Sequence, residues 1–340
     1  MSKRIVILSV VLLAMVVSLT ASHASAKDAA KIKVLIIDGQ NNHNWKKMTP
    51  PMKATLEATG RFTVAVSTLP SNKGKKEDWA AWDPKFADYD VIVSNYNDGG
   101  KCRWPAQRKT EFEKFMKEGG GFVPVHAADN SSNDWPAYNE IIAVGGWGGR
   151  NPKSGCLMRK KDGKWAPDPA PKGRSGSHGG GWEFPVKTEA PNHPIMKGIP
   201  AVWKHAREEM YNSMRGPCKN VTVLASAPSK QTKVDEPQVM IVKYHKGITC
   251  HITMGHVGGL EPIQCVGFQT IFARGTEFAA TGKVTIPIPA EFPTKDKISV
   301  LPADKVTWGK LAKTASTKTT TAIILAGVLA GLCMLAVRKD

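Results

Sequence analysis

The sequence predicts an α/β fold, a mostly parallel sheet with helices on both faces, and three observations predict it. Short apolar runs alternate with helical stretches in the order β-α-β-α-β. The runs are too continuously apolar for strands with one wet face, so both faces must be covered. The 340 residues are 41% hydrophobic and 22% charged, enough apolar chain for a core, which excludes disordered, collagen-like and cysteine-scaffold proteins.

The elements follow in order. Residues 31–37 (KIKVLII) form a buried strand that ends at Asp38-Gly39. A helix over 48–59 stops at Gly60, a second strand covers 61–68, 78–82 makes one helical turn, and 90–95 (DVIVSN) is the third strand. Trp104-Pro105 opens a helix to Glu118 with Phe112, Phe115 and Met116 on one face, closed by three glycines. Residues 121–127 (GFVPVHA) are the fourth strand and 135–144 the next helix. Strands follow at 182–188, 221–225, 239–244 and 247–253, the last two joined in a hairpin at His245-Lys246, before a closing helix over 262–280. The folded domain is therefore 31–286, interrupted at 151–181 by a basic Gly/Pro-rich loop without periodicity.

The ends read differently. Residues 1–26 fit a signal peptide, with Lys3 and Arg4, an apolar stretch over 5–19 and small residues at Ala24-Ser25-Ala26. Residues 287–320 read as a stalk rich in Pro, Lys and Thr, and 321–337 as a transmembrane helix of about 24 to 29 Å. Arg338 and Lys339 place the tail 338–340 in the cytoplasm. The expected location is thus the cell membrane, single-pass with a C-terminal anchor and the domain extracytoplasmic. Gly327 and Gly331 are spaced to pair two spans into a homodimer.

A net charge of +18 invites a nucleic-acid partner. Its distribution does not. Seven basic and two acidic residues fall within 153–174, and six and two within 295–318, so the excess concentrates in irregular segments. That suits an anionic membrane or envelope polymer, and helix-turn-helix, zinc-finger and RNP patterns are absent. Five cysteines (102, 156, 218, 250, 265) precede the span, without a C-x-x-C pair, and their pairing is not readable. The glycine runs at 119–121, 145–149 and 179–181 match no phosphate-binding loop, so no nucleotide cofactor is expected.

Three histidines stand where a doubly wound sheet puts its ligands: His43 after the first strand, His126 at the end of the fourth, and His256 after 247–253. Converged, they would make a site for a zinc-like divalent transition metal, or an acid/base set. Asp129 follows His126, Asp134 suits a helix N-cap, and Glu208-Glu209 reads by default as a solvated acidic pair. Trp45, Trp135, Trp147 and Trp182 offer stacking faces, although tryptophan is more often core.

The ordered motifs Asp38-Gly39 to His43-Asn44-Trp45, GGGFVPVHAA through His126, Asp134-Trp135, Asn192-His193-Pro194 to Pro200, Glu208-Glu209-Met210-Tyr211 and Thr253 to His256 resemble the ThuA-like (trehalose utilisation) family over 32–282. The resemblance implies a class I glutamine amidotransferase-like, flavodoxin-like fold and an association with sugar catabolism. Amidotransferases of that superfamily carry a nucleophilic cysteine where this chain has His126, and an imidazole cannot replace a thiolate. The expectation is a sugar-acting hydrolase or lyase, not an amidotransferase. His126, His256 and Glu209 would be catalytic, His43, His126 and His256 metal-binding, and Trp45, Asp129 and Trp135 substrate-binding. The alternative is a non-catalytic carbohydrate- or cell-wall-binding domain using the same cleft.

Overall fold

The computed structural model describes residues 30–169, 172–256 and 259–311. Strands β1 (Ile32–Asp38), β2 (Phe62–Thr68), β3 (Val91–Ser94), β4 (Gly121–Pro124) and β12 (Gly247–Ile252) run parallel in the order β2-β1-β3-β4-β12. This is the flavodoxin-like order, whose switch point lies between β1 and β3. Helices α1 (Trp45–Ala58) and α6 (Val266–Thr281) cover one face, while α3 (Ala106–Glu118) and α4 (Pro136–Ile142) cover the other. The continuous apolarity of β1 follows from this: Val34 and Ile36 enter one core cluster, Leu35 and Ile37 the other. The short helix α2 (Lys76–Ala81) joins the second cluster through its buried Trp79.

The sheet is mixed as a whole. Beyond β12 it continues antiparallel through β11 (Asp235–Tyr244), β10 (Val221–Pro228), β7 (Trp182–Thr188) and β8 (Val202–Glu208), making a mixed nine-stranded sheet among the described residues. Trp203 of β8 seats on α6 at Gly267, where a Cβ would lie 2.3 Å from its ring. The insertion is also more ordered than its composition suggests. Strands β5 (Cys156–Lys161) and β6 (Lys164–Asp168) form a hairpin, and β5 pairs with β9 (Arg215–Gly216) in a second, three-stranded sheet.

The closing helix is broken into α5 (Glu261–Gln264) and α6 by Cys265, which is extended at φ −60, ψ 118. The cause lies downstream: Val266 N–H donates to Ser299 O, and Leu301 N–H donates to Gln264 O. Described residues expected in a stalk thus lie on the domain, with Ala303 and Val306 buried.

The expected fold also carried a C-terminal transmembrane helix, and this is corrected. Among the described residues no helix is long and apolar enough to cross a membrane. The longest, α6, has 16 residues and carries Arg274 and Glu277 in the protein interior. With that helix goes the basis for a single-pass membrane location. Residues 321–337, like the leader 1–26 and the glycine pair read as a dimer contact, lie outside the described residues.

Candidate functional site

Each histidine is aimed by its own strand end. After β1, Gly39 turns at φ +120 where a Cβ would fall 2.3 Å from Leu69 O. Asn41 Oδ1 then accepts the His43 N–H at 3.0 Å, a local turn that fixes the half-buried ring. After β4, His126 sits at φ +46, a left-handed conformation rare outside glycine, and opens the turn His126–Asn130. The ring is fully buried, and Nδ1–H donates to Thr253 O at 2.7 Å, which leaves Nε2 as a lone pair. Among the described residues no hydrogen-bond partner meets that Nε2. After β12, Gly255 turns at φ +104 against the Phe268 ring. The N–H groups of Gly255 and His256 both donate to Glu208 Oε2, at 2.8 and 2.6 Å.

Glu208 ends β8, and strand alternation sends the next residue to the opposite side. Glu209 Oε2 accordingly lies 3.6 Å from Nε2 of His256 and 3.6 Å from Nε2 of His178. One ligand atom from each of His43, His126, Glu209 and His256 falls within 4.8 Å of the others. Bonds of about 2.0–2.2 Å to a single ion place four ligand atoms about 3.3–3.6 Å apart, so side-chain adjustments of about an ångström would close the set.

The protonation states suit ligation. Burial, then the neighbouring His256 and His178, brings the His43 pKa down to about 4. Burial, then His43 and His256, holds His126 well below the ordinary histidine value. Both rings are neutral near pH 7.

Two clefts share Glu209. One, of about 250 Å³, is lined by Asn42, Asn97, Asn130, Trp147, His178 and Tyr211. The other, of about 540 Å³, is walled by Arg207, Glu209, His256 and Glu261. A larger concavity of about 590 Å³ beside Phe86 and Phe115 lies away from the histidines, and none of the converging side chains lines it.

The structure thus brings His43, His126, His256 and Glu209 together and leaves the expected substrate contacts elsewhere. Asp129 is fully buried and its Oδ2 faces His251 Nε2 at 3.2 Å, so it cannot touch a ligand in the cleft. Trp135 is buried among Trp104, Phe112 and Tyr138, with its N–H donated to Glu113. Trp45 begins α1 and lines neither cleft. The aromatic wall is instead Trp147 and Tyr211, 4.6 Å apart between centroids. Tyr211 also stacks near His126 at 4.0 Å, and its presence in the Glu208-Glu209-Met210-Tyr211 block was the available signal. His178 sits in the irregular insertion and carried no signal.

A family model described as ThuA, trehalose utilisation, matches residues 33–279. The chain belongs to the ThuA family. A ThuA-like protein from Parabacteroides merdae ATCC 43184 is 38% identical, with a TM-score of 0.76 over 81% of this chain and 99% of that one. A ThuA-like protein from Bacteroides uniformis ATCC 8492 is 19% identical, with a TM-score of 0.49 over the same shares. No curated protein matches the chain. ThuA membership is consistent with a role in sugar utilisation, and the amidotransferase-like fold agrees with the parallel half of the sheet.

Proposed function

We propose that this ThuA protein is a metal-dependent enzyme acting on a carbohydrate, with His43, His126, His256 and Glu209 holding a zinc-like divalent cation. The observation that carries the reading is the buried, unpartnered Nε2 of His126 beside two further rings and one carboxylate. An orphaned buried acceptor costs about 1–3 kcal/mol, a cost that ligation would remove. Three histidine nitrogens and one carboxylate oxygen are the donor set a zinc-like ion takes. Bound there, the ion would supply Lewis acidity to a hydrolase or lyase reaction.

The chain's own residues supply the rest. Glu209 borders both clefts, and with one oxygen on the ion its second oxygen would be left to accept a proton from a substrate. Trp147 and Tyr211 offer faces for a sugar ring, and the amides of Asn42, Asn97 and Asn130 offer donors and acceptors for hydroxyls. Glutamine amidotransfer is excluded from the proposal because His126 stands where that chemistry needs a thiolate.

Metal analysis of the purified protein tests the reading. About one equivalent of a transition metal is expected, lost in His43→Ala with circular dichroism and Tm retained. A wild-type protein that stays metal-free after incubation with zinc, yet binds sugars, would replace the enzyme with a carbohydrate-binding domain.

A further inference from the structure

Away from the histidines, the basic insertion meets the rest of the domain at β5 and β9, where Cys156 pairs with Gly216 and Leu157 with Arg215. The backbones approach closely because neither Gly155 nor Gly216 has a side chain. A Cβ on Gly155 would lie 2.2 Å from Gly216 O, and one on Gly216 would lie 2.2 Å from Ala143 O. Two residues on, Cys218 turns at φ +49 and folds back, with its thiol donating to Cys156 O at 3.3 Å. The Cys156 side chain is close enough to act electrostatically on the Cys218 thiol. Both cysteines belong to one small apolar cluster, with Cys218 buried and Cys156 half-buried, whereas Cys102, Cys250 and Cys265 lie in the two large clusters.

We propose that Cys156 and Cys218 are a redox pair that closes to a disulfide when the folded protein meets a low-molecular-weight disulfide such as oxidised glutathione. The half-exposed Cys156 loses its proton, and its thiolate attacks one sulfur of the glutathione disulfide, expelling one glutathione thiolate. Cys218 then gives up its proton and attacks the Cys156 sulfur of the mixed disulfide, expelling the second. Two protein thiols are oxidised, one glutathione disulfide is reduced, and the two protons end on the two glutathione thiols. Burial, then the neighbouring Cys156, pushes the Cys218 thiol up to about 12, which leaves the first attack to the half-exposed Cys156.

The bond would fix more than the hairpin. Arg215, beside Gly216 in β9, donates to the carbonyls of Lys172, Gly173 and Arg174. Those carbonyls begin the segment that returns to His178 at the smaller cleft. Closing the pair ties both strands under that cleft wall.

The test equilibrates the folded full chain with mixed oxidised and reduced glutathione, quenches with acid and maps tryptic peptides without reduction. Cys156 falls in peptide 154–159 (SGCLMR) and Cys218 in peptide 216–219 (GPCK). The expected product is these two peptides cross-linked as the major form, free of glutathione. In Cys218→Ser the same treatment should leave glutathione on Cys156. Recovery of both wild-type peptides as free thiols, or as separate glutathione adducts, while circular dichroism shows a folded domain, overturns the proposal.

Discussion

Two groups of histidine and carboxylate stand back to back at the end of β8, and they differ in what their nitrogens face. In the closed group, His205 and Glu208 are both fully buried side chains in contact at 2.6 Å, with Cys265 beside the ring. Burial alone would lower the His205 pKa, but Glu208 and Cys265 outweigh it and carry it to about 10. Glu208 spends its other oxygen on the N–H groups of Gly255 and His256. In the open group, Glu209 faces the clefts, and His43 and His126 nearby are kept neutral. Consecutive residues of one type thus take opposite roles. The ion-paired group holds the backbone, while the group around Glu209 remains available to a ligand.

That contrast can be broken at several points. Removing Glu208 should have the largest effect, because it strands a buried imidazolium and frees the His256 loop. Glu208→Ala is expected to cost about 3–5 kcal/mol in chemical denaturation. A variant as stable as the parent would mean that the closed group is not a structural clamp. Glu209→Ala should do the reverse, weakening zinc affinity on the order of 10–100-fold in chelator competition while stability stays within about 0.5 kcal/mol. Equal losses of stability in both variants would erase the distinction.

The smallest effects are those of pH on the metal-free protein. His43 binds its proton at about pH 4 when folded and near 6.5 when unfolded, so its contribution to stability falls as pH drops through that window. His205 behaves oppositely: its stabilising charge is fully present below about pH 6.5 and lost as pH rises through about 10. Thermal unfolding across pH 4 to 10 should therefore show an acid shoulder removed by His43→Ala and an alkaline one removed by Glu208→Gln.

The placement of His43, His126 and His256 was legible because a strand's carboxyl end is a topological position, and topology follows from the order of apolar runs. The burial of Glu208 was not. β8 carries Lys204 and Arg207 on its outer side and His205 within, so its alternation carried no apolar signal. Asp129 and Trp135 failed for a related reason: sequence proximity to His126 says nothing of which way a turn points, and both point into the interior. In the antiparallel half β7, β10 and β11 were readable as strands and β8 was not, and the pairing beyond the 239–253 hairpin depends on contacts distant in sequence. The hairpin in the insertion escaped notice because its composition is that of a loop.

The break at Cys265 has a practical corollary for anyone who trims this protein. The family match stops at residue 279, yet Ser299 and Leu301 supply the partners of Val266 and Gln264. Gln269 ties the same segment to α1, donating to Leu301 O while Thr55 donates to its amide oxygen. The segment that the family model matches is thus shorter than the unit of folding. A chain cut at the homology boundary would uncap α6 and loosen α5, which lies beside His256.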